Sequence, residues 1–284
     1  MRYLLVDNGS LRASSVLNLR RVARDLSEAT GLEILPSSLL HSSKVPVGDL
    51  EGEAAVNLER RIRLFLEAGE RDFTIIPFFF GKSGAITGYL PERLAYRREK
   101  HGDFNVWRTP FLAHGLEEKS QNSIDLDVNH KLVDILADRV REVIRDKKLS
   151  RPKVAVVDHG SPKPEVAMLR NEVSCALAGA LGNEVCALFQ SSMERREGDE
   201  FAFNEPLLEK LLRHPEWNHG DVVISMLFLS PGRHAGQGGD IDGICKAAEA
   251  ESPGLRTHMT GLVGDHPGMI PLLQQRLEME RIPM

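Results

Sequence analysis

The chain has 284 residues, 42% hydrophobic and 27% charged, with a formal net charge of −5 at pH 7. That length exceeds a usual single core and predicts two domains of roughly 140 residues each. The acidic balance excludes a general attraction to nucleic acid, and no apolar stretch approaches the ~20 residues of a membrane span.

The N-terminus runs directly into a strand pattern with no long apolar leader, which predicts a cytoplasmic protein. In the first half the strand candidates are "YLLVD", "LEILP", "FTIIPFFF" and "FNVWRTPFL". Helical periodicity lies between and after them, near Ser14 to Thr30, Ala54 to Ala68, Tyr89 to Glu99 and Val128 to Asp146. The polar break "RDKKLSRPK" (Arg145 to Lys153) sets a boundary near Leu149 and hence domains of residues 1–149 and 150–284. The second half repeats the alternation with "KVAVVD", "EVCALF", "DVVISMLFL" and "LRTHMTGLV" as strands. Its helices are expected near Pro164 to Gly179, Pro206 to Leu212, Asp240 to Glu249 and Met269 to Glu280. Such alternation implies an α/β fold of two tandem doubly wound domains, each with a parallel sheet covered by helices.

The two halves share a phrase. "YLLVDNGSLRASS" (Tyr3 to Ser15) and "VAVVDHGSPKPEV" (Val154 to Val166) align Asn8 with His159, an offset of 151 residues. The same offset carries "FFFGKSGAI" (Phe78 to Ile86) onto "LSPGRHAGQ" (Leu229 to Gln237) and pairs Gly81 with Gly232, Lys82 with Arg233 and Ser83 with His234. Two distant matches in one register indicate an internal duplication. The segment between them does not keep the register.

In open α/β sheets ligands gather at the carboxyl ends of strands. His159 and His234 both follow strands, so their imidazoles are expected to converge there although 75 residues separate them. The first half has Asn8 and Ser83 at the matching places, so the turns themselves do not require histidine. Paired imidazoles with a carboxylate form an N/O ligand set for divalent iron, cobalt, nickel or zinc. Glu194, just past the strand "EVCALFQSS", is the chosen acid, with Glu197, Asp199, Glu200 and Glu205 as alternatives in the same loop. Gly160 would permit a tight turn, and Gly232 with "GQGGD" (Gly236 to Asp240) would let the backbone approach a bulky ligand. The other eight histidines read as surface or helix-end residues.

Three other chemistries fail. "GKS" at Gly81 to Ser83 lacks the first glycine of a phosphate loop, since Ile76 stands there. "HAGQGGD" does not meet the dinucleotide spacing. Ser161 is not in a G-x-S-x-G elbow. Cys175, Cys186 and Cys245 form no CxxC pair and read as buried, reduced thiols, with no ligand set for an iron–sulfur cluster.

Strand-"HGS"-helix followed by strand-"LFLSPGRHAGQGGDI"-helix, in duplicated halves, resembles the class II tetrapyrrole chelatases and most closely the CbiX/SirB sirohydrochlorin chelatase family. The resemblance implies two chelatase-like domains facing each other across a cleft, the first lacking the metal histidines and the second carrying them. It implies insertion of cobalt or ferrous iron into sirohydrochlorin, as a lyase of cobalamin or siroheme biosynthesis, with the metal as substrate and no nucleotide. His159 and His234 match the family's metal histidines, and Glu194 is the counterpart of its acid. Sirohydrochlorin carries many carboxylates, which makes Arg233, Arg195, Arg196 and the turn at Ser161 and Gly232 candidate anchors, with Lys82 and Arg93 contributing from the first half. The chain would act as a monomer of two pseudo-symmetric halves or as a homodimer. The alternative is a tetrapyrrole- or metal-delivery protein on the same scaffold, without catalysis.

Overall fold

The structure, a computed structural model, describes residues 1–114, 130–236 and 238–284. Val128 and Asn129, at the start of one expected helix, and Gln237 of the glycine-rich loop lie outside the described residues.

Two sheets form. The first has the order β2 (Ile34–Ser38), β1 (Arg2–Asp7), β3 (Asp72–Pro77), β4 (Asn105–Arg108) and β9 (Ile282–Pro283), all parallel except β9. The second has the order β6 (Ala187–Ser192), β5 (Lys153–Asp158), β7 (Gly220–Met226) and β8 (Leu255–Met259), parallel throughout. β1 and β5 hold the same place in their sheets. Each is flanked on both sides and covered on both faces, which is why Leu4 to Val6 and Val154 to Val157 are inaccessible to solvent and read as unbroken apolar runs.

The helices are α1 (Ala13–Thr30), α2 (Leu58–Glu67), α3 (Leu90–His101), α4 (Lys131–Lys147), α5 (Pro164–Leu181), α6 (Leu208–Arg213), α7 (Asp240–Glu251) and α8 (Met269–Glu278). Two compact units result. One is Met1–His114 with Pro267–Met284, and the other consists of the described residues of Gly115–His266.

A cut near Leu149 therefore separates β1 to β4 from β5 to β8 but not the helices. α4 precedes that cut yet packs on α5 and β7 of the second unit, where Arg141 pairs with Glu184 and Arg139 donates to the Leu262 carbonyl. α8 follows it yet packs on α1 of the first unit, where buried Arg276 donates to the carbonyls of Phe111, Leu112 and His114. An apolar stripe specifies that a helix must be covered but not which sheet covers it.

The cysteines correct an expectation. Cys245 is buried, and burial pushes its thiol up to about 11, but Cys175 and Cys186 are exposed. Cys175 sits on the outer face of α5, a helix with apolar or small residues on every side, and Cys186 precedes the edge strand β6. Among the described residues, no helix is long and apolar enough to cross a membrane.

Candidate functional site

The turn after β1 and the turn after β5 are built alike. Gly9 and Gly160 hold φ of 89° and 88°, and a Cβ there would lie 1.8 Å from the Leu40 carbonyl oxygen and 1.9 Å from that of Glu194. Only glycine fits such a turn. The N–H groups of Leu39 and Leu40 donate to the carbonyls of Asp7 and Asn8, as those of Met193 and Glu194 donate to Asp158 and His159. Ser10 and Ser161 each accept from the N–H two residues on. The sequence offset would match Leu40 with Ser191; the structure matches it with Glu194, three residues later. Glu194 is thus tied by its own backbone to the turn that carries His159.

His159 and His234 come together as the sequence predicts. Their ring centroids are 4.6 Å apart with planes at 85°. The Nε2 of His159 lies 3.7 Å from Glu194 Oε1. Its Nδ1 is 3.1 Å from the carbonyl oxygen of Gly160, and His234 Nδ1 is 2.6 Å from Asp240 Oδ2. With both Nδ1 atoms engaged, the two Nε2 atoms remain for a ligand. Of the candidate acids, Glu194 is the one whose carboxylate approaches His159. Glu205 pairs instead with Arg195 and Lys210; burial alone would raise its carboxyl, but Lys210, the Leu207 N–H and Arg195 hold it below the usual carboxylate range.

Among the described residues, no three His, Cys, Asp or Glu side chains stand as a group able to hold a metal ion. Bonds of about 2.0–2.2 Å would bring neighbouring donor atoms to about 3 Å from one another. The edge-to-face rings and the half-exposed Glu194 would have to rotate to reach that arrangement.

A buried acid supports the turn from below. Asp158 Oδ1 accepts from the Gly160 N–H at 3.1 Å, from the Ser192 hydroxyl at 2.7 Å and from Arg170 Nη1 at 3.5 Å. Burial pushes the Asp158 carboxyl up, against the pull of Arg170, Ser192 and the Gly160 N–H. Arg170 is itself 1% exposed and also donates to the Phe203 carbonyl. In the first half Asp7 has the same place, but Leu19 stands where Arg170 does in the repeat, and Asp7 Oδ1 has no partner.

The expected substrate anchors divide. Arg233 is exposed, with its Nε 3.7 Å from Asp240 Oδ2. Arg195 is committed to Glu205 and to the Gly198 carbonyl, and Arg93 to Glu59. The Ser161 N–H is committed to Asn204 Oδ1. Gly232 has open space around its missing Cβ. The loop calls for glycine at Gly236 and Gly238, with φ of 118° and 76°, and at Gly239, where a Cβ would lie 2.9 Å from the His234 carbonyl oxygen. Sequence reasoning missed Asp240 and the Asp158–Arg170 pair. Carrying the offset six residues past His234 would have flagged Asp240, because Tyr89 occupies the matching place in the half that lacks the histidines.

The family model for CbiX matches residues 153–280. Among solved structures, SirB from Bacillus subtilis with Fe3+ superposes with a TM-score of 0.68 at 12% identity, covering 98% of this chain and 94% of that one. The sirohydrochlorin chelatase SirB from Bacillus subtilis subspecies spizizenii, in complex with cobalt, gives 0.64 at 12% identity over 97% and 94%. DR2241 from Deinococcus radiodurans, a multi-domain protein similar to chelatases, gives 0.62 at 16% identity over 98% of this chain and 54% of that one. No curated protein sequence matches the chain at a significant level. Residues 153–280 thus match the CbiX family model, and the chain as a whole has the chelatase fold of the SirB structures.

Proposed function

We propose that this protein inserts a divalent metal, Co²⁺ or Fe²⁺, into sirohydrochlorin, with His159, His234 and Glu194 as the groups that hold the metal and take up protons. The observation that carries this reading is the contact of two imidazoles, 4.6 Å apart, on the two loops where the first half has Asn8 and Ser83. The CbiX match over the half that bears them, and the likeness in fold to SirB structures holding Fe3+ or cobalt, support it.

Insertion asks three things of a site. The metal must shed water, two pyrrole N–H protons must leave, and the nitrogens of the ring must face the metal. Imidazole Nε2 atoms replace water ligands without adding charge, so the metal stays free to pass onward. Glu194, 3.7 Å from His159, adds an oxygen donor and a proton acceptor on the same turn. Arg233, exposed beside His234, is placed to meet a carboxylate at the edge of the macrocycle, and Arg195 serves the site by holding the acidic loop in shape. The reaction proposed draws on no nucleotide.

The test is anaerobic mixing of the protein with sirohydrochlorin and either Co²⁺ or Fe²⁺, followed by absorbance against His159→Ala and a protein-free control. Acceleration over the control that is lost in His159→Ala is the expected result, and it also ranks the metals. Equal turnover in His159→Ala would remove the assignment. A spectrum that shifts on mixing but never reaches the metallated product would leave a binding protein in its place.

A further inference from the structure

We propose that Asp240 is a positioning residue for metal capture: it fixes His234 in the tautomer with the proton on Nδ1 and so keeps the Nε2 lone pair turned to the metal. The inference rests on the reading of His234 as a metal ligand. An ionised carboxylate only accepts hydrogen bonds, so the 2.6 Å contact between Asp240 Oδ2 and His234 Nδ1 places the proton on that nitrogen. Imidazole free in a loop has no such constraint. A ligand histidine fixed through its far nitrogen binds metal more tightly and in one orientation.

Asp240 Oδ2 also faces Arg233 Nε at 3.7 Å, but its short contact is the one to His234. Asp240 is the first residue of α7, where the helix N-terminus favours a negative charge. The neighbouring acid Asp242 is engaged elsewhere, its Oδ2 accepting from the Gly238 N–H at 2.8 Å and from Lys246 Nζ at 2.7 Å. The loop is strapped down on both sides of the contact, since the N–H of Asp240 donates to the Arg233 carbonyl and that of Ile241 to the His234 carbonyl. Gly239 allows this close return, its missing Cβ lying against those same two carbonyls. The other half of the repeat supplies the control. Where the imidazole is replaced by Ser83, the acid is replaced by Tyr89, and the segment Ala85–Tyr89 winds into a π-helical turn instead. Acid and histidine are present together or absent together.

The experiment has two readouts on the full chain. Long-range ¹H–¹⁵N correlation spectra of ¹⁵N-histidine-labelled protein report which nitrogen of His234 carries the proton, with His234→Ala giving the assignment. Titration with Co²⁺ alone reports affinity through the absorbance of the bound ion. Asp240→Ala should release His234 to a mixture of tautomers and weaken Co²⁺ binding about 10–100-fold. Asp240→Asn, which keeps an acceptor at the same place and the same volume, should restore the Nδ1–H tautomer and most of the affinity. An unchanged tautomer in Asp240→Ala would overturn the proposal, as would an altered tautomer with unchanged Co²⁺ affinity. If wild type and His234→Ala bind Co²⁺ equally, the metal reading of His234 itself fails, and that result is separable from the behaviour of Asp240.

Discussion

Asp7 and Asp158 end equivalent strands under equivalent turns, and the charge facing each differs. Arg170 neutralises Asp158, whereas among the described residues no arginine pairs with Asp7, and burial pushes its carboxyl up to about 6 against hydrogen bonds from Ser38 and Gly9. A carboxyl whose folded value lies above its unfolded one adds stability below pH 4, and that contribution fades as pH rises through 6. Between those limits the linkage amounts to about 3 kcal/mol, an upper bound. Asp7→Asn, close in shape and uncharged, should therefore stabilise the first unit at pH 7.5 and lose most of that advantage at pH 4.5, as read by urea unfolding at both values. An advantage independent of pH would show that Asp7 is not the group responsible. At this scale the sequence revealed the two histidines because two matches shared one offset. It chose Glu194 by its place just past a strand and kept four other acids of that loop as alternatives, because three inserted residues shift the loop against the repeat. Asp240 and Arg170 stayed hidden, since an acid at a helix start and an arginine within a helix look alike whether they serve a loop or the solvent.

At the scale of elements, the apolar runs marked all eight longer strands, and the start of α2 was misplaced where capping chemistry decides it. α2 begins at Leu58 and not near Ala54, because Asn57 Oδ1 accepts from the Arg60 N–H and sets the first turn. The two-residue β9 carried no readable signal; it exists because Ile282 and Pro283 lie antiparallel to Arg108 and Trp107. The same tertiary control explains α8. Its buried face is Met269, Leu272, Leu273 and Arg276, three apolar residues and a cation that would read as solvent-facing. Arg276 instead satisfies three carbonyls past the end of β4. Arg276→Met keeps the stem and withdraws its donors from all three acceptors, of which Phe111 keeps the His114 N–H, at a cost of about 2–4 kcal/mol. A calorimetric scan should show the first unit melting earlier with the second unchanged; coincident loss of both would contradict the assignment of α8 to the first unit.

For the whole molecule, the sequence division near Leu149 and the two compact units make opposite forecasts for fragments. Residues 150–284 would lack α4, whose Leu132, Val133, Leu136, Ala137 and Val140 are buried in the second unit, and would carry α8 with nothing of its own unit to cover it. That fragment should show no cooperative urea transition, while residues 130–266 should unfold in a single one; a cooperative 150–284 would favour the simpler division. The exchange of terminal helices also sets an order of birth on the ribosome. The first unit needs α8 and the pairing of Trp107 with Pro283, so it cannot close until Pro283 has emerged. The second has every strand and helix it requires once His266 emerges. Domains ordinarily mature from the N-terminus onward, and here that sequence is inverted: the half bearing the paired imidazoles is finished while the older stretch of chain is still waiting for its final strand.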